Sequence, residues 1–190
     1  PARAWRPAVV ARLAQTLGFT NEPFGASPST TRRSHMPTTE ELYAELKPEI
    51  GAVANHLFEL SETFLRKTGN FLPHGAVLTE SGDVQLVAAA PDGTKDRTNS
   101  VEVLPVLHDG LRAQVKEVRC KALAVAENVT VTLDGQRSTS AIKVLFEHRR
   151  GLTVALYLPF EKKFLRGYAF GSPFSKAAAP EVRAWGAGEA

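Results

Sequence analysis

The stretch Ala141-Ile142-Lys143-Val144-Leu145-Phe146-Glu147-His148-Arg149-Arg150-Gly151-Leu152-Thr153-Val154-Ala155-Leu156-Tyr157-Leu158 decides the fold. In its first half, Ile142, Val144, Phe146 and His148 fall on one side of an extended chain. Lys143, Leu145, Glu147 and Arg149 fall on the other. After Arg150-Gly151 the alternation resumes with Leu152, Val154, Leu156 and Leu158. A side-chain period of two marks half-buried strands, and so short a connection makes the two strands an antiparallel pair.

Working outward, two more strands are expected just upstream, Cys120–Ala126 and Val129–Leu133, separated by Glu127-Asn128. A hairpin is expected earlier, Gly75–Glu80 and Asp83–Ala90 joined through Ser81-Gly82, with Val84, Leu86, Ala88 and Ala90 on one side of its second strand. The period changes to that of a helix over Leu42, Leu46, Ile50, Val53, Leu57, Leu60 and Phe64. Thr38 or Thr39 is suited to cap that helix and Gly69-Asn70 to end it. Pro48 lacks an N–H and predicts a break or kink. A second helix is expected over Val103–Glu117, with Leu104, Leu107, Leu111, Val115 and Val118 as its stripe and Pro105 in its first turn. The polar run Pro91–Ser100 reads as a long loop. A short element is expected near Phe164–Phe170. The order is α-β-β-α-β-β-β: an α+β fold with an antiparallel sheet of about five strands packed by two or three helices. This order resembles that of profilin-like and roadblock-like modules, an analogy without functional content.

Charge separates the chain into unlike parts. The whole carries 23 Lys+Arg against 20 Asp+Glu. Residues 1–35 hold five arginines and a single acid, Glu22, so the remainder is close to neutral. Residues 1–35 are therefore expected to be a basic disordered leader or a non-native extension, 36–175 a single α+β domain, and 176–190 a loose tail rich in Ala, Gly and Pro. A near-neutral domain lacks the field that draws phosphate backbones, so no nucleic acid is expected to bind through it. Cys120, the single cysteine, excludes an intrachain disulfide framework and a CxxC metal site. No apolar run is long enough for a membrane span, and a reducing cytoplasm is the expected setting.

Phe71-Leu72-Pro73-His74-Gly75-Ala76-Val77-Leu78, followed by Ser81-Gly82-Asp83-Val84, resembles a group of small bacterial proteins of unassigned function. In them a long helix runs into an F-x-P-x-G-A strand. The Ala141-Ile142 and Glu147-His148-Arg149 strand and Leu158-Pro159-Phe160 sit where that pattern expects them. The resemblance covers most of residues 50–175 and implies no substrate or activity.

Few residues invite chemistry. His74, stiffened by Pro73 and freed for close approach by Gly75, could bind a ligand or move protons near neutral pH, or could simply bond a carbonyl. At the strand end, Arg149 or Arg150 could hold an anion with Glu147 orienting it, or all could form a solvated ion pair. His148 continues the apolar side. A catalytic reading of His74, Glu147 and His148 needs them in one pocket. His108-Asp109 share no helical face and make no dyad. The five histidines show no metal-ligand spacing, so neither a metal nor another cofactor is expected. Tyr157, Phe160, Tyr168 and Phe170, interleaved with Lys162, Lys163 and Arg166, form either a protein-binding surface or an arm packed on the sheet. The expectation is a non-catalytic protein-interaction or regulatory module, with a protein partner or self-association. The alternative is a small ligand-binding domain or enzyme built on His74 and Glu147-His148-Arg149. A third reading, a basic tail directing an inert domain, depends on residues 1–35.

Overall fold

The computed structural model describes residues 37–89, 99–132, 138–164 and 167–185. The expected leader, 1–35, and most of the expected loop Pro91–Ser100 lie outside them. Two helices and seven strands follow in the order α1 (Thr39–Thr68), β1 (His74–Thr79), β2 (Val84–Ala88), α2 (Ser100–Glu117), β3 (Cys120–Val131), β4 (Thr139–His148), β5 (Thr153–Lys163), β6 (Gly167–Phe170) and β7 (Phe174–Ala177). The sheet is antiparallel throughout, in the order β2-β1-β3-β4-β5-β6, with β7 also paired to β5. The α+β class holds, with more strands than expected. The predicted break at Glu127-Asn128 is absent, because both residues pair across β4 with Lys143 and Ile142 and the ladder never lapses.

Helix α1 starts in a capping box: the Glu41 N–H donates to Thr38 Oγ1 at 3.3 Å and the Thr38 N–H to Glu41 Oε2 at 2.8 Å. It ends at Gly69, whose φ of 81° is left-handed. Pro48 does not divide it. Leu46 and Ile50 on either side are buried in the core, and that packing carries the helix past the missing bond. The buried stripe also differs near the C-terminal end: Phe58, Ser61 and Leu65 turn inward, while Phe64 is exposed. A 3.6-residue repeat drifts around a long helix, and the face meeting the sheet drifts with it.

Helix α1 packs across β1, β3 and β4 on one face of the sheet. Ala76, Leu78, Ala124, Val144, Phe146 and Val154 meet it there. Helix α2, capped by Asn99, covers β1, β2 and β3 on the other face through Leu107 and Leu111. It begins three residues before the predicted start because Asn99 Oδ1 accepts the Glu102 N–H. Gly75 leaves no room for a side chain under α2: a Cβ there would lie 2.9 Å from the Ala124 carbonyl oxygen and 3.1 Å from Leu111. Strand β2 does not alternate as expected, since Leu86 lies on the sheet edge and is exposed.

The far edge is one interrupted strand. Phe170 pairs with Phe160 and Phe174 with Tyr157, so three residues of the edge face two of β5. Pro159, which has no N–H to donate, lies at the interruption, and its carbonyl accepts from Gly171 at 2.8 Å. Of the expected loose tail, 176–190, the structure describes residues 176–185. Strand β7 is part of the sheet, and Val182 is completely buried in the core on the α2 face.

Candidate functional site

Adjacent residues of β4 serve opposite faces. Glu147, on the α2 face, is buried, and its carboxylate accepts three backbone N–H groups from the tail. Oε1 takes Glu181 and Val182, each at 2.7 Å, and Oε2 takes Arg183 at 3.0 Å. Lys143, four residues earlier on the same face, donates to Glu127 and to the Glu181 side chain at 2.7 Å each. Burial alone would lower the Lys143 pKa, but the two carboxylates outweigh it and raise it. Arg112 Nε of α2 holds the Val182 carbonyl at 2.8 Å. Glu147 therefore anchors the C-terminal segment and does not orient Arg149, which pairs with Glu80 instead.

His148, on the α1 face, has both ring nitrogens engaged. The Arg150 N–H donates to Nδ1 at 3.1 Å, so the proton sits on Nε2. Nε2 stands 3.3 Å from Glu49 Oε2, an electrostatic contact without hydrogen-bond alignment. The other Glu49 oxygen takes Lys121 at 2.8 Å. Burial lowers the His148 pKa; Glu49 opposes this, and Arg150 and Arg149 add to it. Arg150 grips Glu45 with two hydrogen bonds of 2.6 and 2.9 Å. The turn after β4 is thus tied to the N-terminal half of α1.

His74 lies on the same face at the other end of α1. Its Nδ1 is 3.0 Å from the Leu72 carbonyl, which can only accept. Its Nε2 is 3.2 Å from Ser61 Oγ, whose hydroxyl also reaches the Leu57 carbonyl at 2.7 Å. A serine, a histidine and an orienting carbonyl resemble a nucleophile–base pair. Ser61 is 0% exposed and His74 5%, however, with Phe64 and Phe71 edge-on to the imidazole, so no substrate reaches them. Burial lowers the His74 pKa against the pull of the Leu72 and Leu57 carbonyls. His74 pairs across β3 with Ala126, and His148 with Ala122. Four residues along the ladder and two strands across it separate the histidines by roughly 13 Å and about 10 Å in those directions. They form no common site.

The predicted aromatic surface is largely internal. Phe160 is buried, and Tyr168 and Phe170 pack against the α1-face core. The Tyr168 hydroxyl donates to the Gly69 carbonyl at 3.0 Å, and Arg66 lies over the Phe170 ring. Tyr157 stacks on Phe174 at 4.9 Å. Asp109 pairs with Arg112 and not with His108. Cys120 is buried, which raises its pKa and keeps it a thiol. Among the described residues no group of His, Cys, Asp and Glu gathers as metal ligands. No described helix is long and apolar enough to cross a membrane.

Two of the concavities lined by described residues bear on function. The first is a groove of about 490 Å³ on the α1 face, between the N-terminal half of α1 and the β5–β7 edge. Tyr43, Ala44 and Lys47 form its helix wall; Leu152, Val154, Ser175 and Ala177 form its floor. It exists because α1 packs chiefly across β1, β3 and β4, and beside Val154 the β7 lining residues Ser175 and Ala177 are small. The Ala44 carbonyl in its wall would normally accept the N–H of residue 48, which is proline. The second concavity, of about 430 Å³, lies on the α2 face and brings Arg149 and Cys120 together with Lys116, Arg119 and Trp185. Neither groove was legible as such. Pro48 and the late Trp185 were the available signals.

Comparison with protein-family models, curated proteins and solved structures finds no match to this chain.

Proposed function

We propose that the chain is a non-catalytic protein-interaction module, acting in the cytoplasm, that holds an extended apolar segment of a partner protein in the groove beside α1. The observation that carries this reading is the groove itself. It is open and apolar-floored, whereas His74, Glu147, His148, Arg149 and Arg150 all have partners within the chain. Tyr43, Ala44 and Ala177, over the nearly buried Leu152 and Val154, offer the apolar contacts that supply most binding energy in such sites. Lys47 and Lys176 outnumber Glu40 in the lining and favour a partner segment flanked by acidic residues. The Ala44 carbonyl offers an acceptor to its backbone.

Ala44 is exposed and helical, so Ala44→Arg fills the groove without disturbing the core. The expected result is loss of the partner captured from the source organism's lysate, with the melting temperature unchanged. A partner retained at full stoichiometry by Ala44→Arg would refute this reading.

A further inference from the structure

The second concavity has the composition of a small-ligand site. Its charged lining consists of Lys116, Arg119, Arg149 and Glu80, three cations against one carboxylate. Glu80 is already bonded to Arg149. Lys116 and Arg119 flank the C-terminal end of α2, whose carbonyl ends favour cations. That explains their presence but leaves both without a carboxylate partner among the described residues. Trp185 supplies an aromatic wall, and Cys120, a neutral buried thiol, lies at the floor.

The local backbone is built to hold this arrangement. The β1–β3 register slips between Leu78 and Thr79, opposite Cys120. Such a bulge re-aims the side chains at a sheet's rim. The Glu80 N–H then donates to the Arg119 carbonyl, and the Arg149 N–H to the Lys121 carbonyl, each at 3.0 Å. Trp185 is brought there by the Glu147 anchor two residues upstream, at Arg183. A volume of about 430 Å³ suits a ligand of a few ring atoms with one charged group.

We propose that this cavity binds a small organic anion, a planar apolar ring bearing a phosphate or carboxylate. The ring lies against Trp185 and the anionic group between Lys116 and Arg119. Arginine and lysine supply charge-assisted bonds to the anion, and the indole supplies stacking area. Glu147 is a positioning residue here, acting through the tail.

The test titrates phenyl phosphate into the full chain carrying Trp5→Phe, so that Trp185 is the sole fluorophore of its type. Saturable quenching is expected. Inorganic phosphate should bind roughly tenfold more weakly, because it lacks the ring. Lys116→Gln and Arg119→Gln, both at exposed positions, should each weaken phenyl phosphate by roughly tenfold while leaving the melting temperature in place. Ala44→Arg, on the opposite face, should change nothing, which separates this site from the protein-binding groove. Absence of saturable quenching in the unmodified cavity overturns the proposal. So does binding that survives the Lys116→Gln/Arg119→Gln pair, or inorganic phosphate binding as tightly as phenyl phosphate.

Discussion

The two faces of the sheet are closed by different means. On the α1 face a single 30-residue helix lays a continuous apolar stripe over the central strands. On the α2 face an 18-residue helix covers one side, and the rest is closed by a segment with no regular structure. That segment is held by one buried carboxylate, one arginine, one lysine and the buried Val182. The first closure is distributed over many small contacts. The second is concentrated in a few polar bonds. A distributed closure resists any single change, and when it fails the whole domain fails. A concentrated closure can open locally while the sheet survives.

Substitutions can break or sharpen this contrast. The largest effect is expected from Leu57→Ala, which empties a fully buried position under α1 and should cost about 3 kcal/mol. Urea unfolding should show one cooperative transition at a lower midpoint. Glu147→Ala should cost about 2 kcal/mol, since it strands buried N–H donors. Here amide exchange should accelerate at Glu181, Val182 and Arg183 well before the β3–β4 ladder. If the two regions exchange together, the closures are not independent. Gly75→Ala tests the seam between the faces: its Cβ would collide with the Ala124 carbonyl and Leu111, at a cost of about 1–2 kcal/mol.

Acid should act on the α1 face. Both His74 and His148 titrate below their ordinary 6.5 in the folded chain. Above that pH they are neutral in folded and unfolded chains alike and contribute no pH dependence. As pH falls below 6.5, the unfolded chain binds protons that the folded chain does not, and stability falls. Urea midpoints at pH 7.5 and 5.5 should differ, and His74→Gln/His148→Gln should narrow the gap. The smallest effect is expected from Thr38→Ala, which removes the α1 cap for about 1 kcal/mol, read from the melting temperature.

Much of this architecture could be read along the chain. The alternation around Phe146 specified two strands and their pairing, and Leu46, Ile50, Val53 and Leu57 specified the buried face of α1. The sites were legible only in part. Arg149 and Cys120 stood out as residues of interest, but their neighbours Lys116 and Trp185 come from a helix end and a segment that looked unstructured. Glu147 looked like half of a surface ion pair and proved to be the anchor of the tail.

The sequence by itself determined the local periods, the caps of α1 and the antiparallel hairpins, because these depend on neighbours a few residues apart. Only the tertiary structure decided that His74 and His148 share a face but not a site. It also decided which carboxylate holds residues 181–183, and where α1 leaves the sheet uncovered. Each of these depends on groups tens of residues apart in the chain, and no local pattern encodes the distance between them.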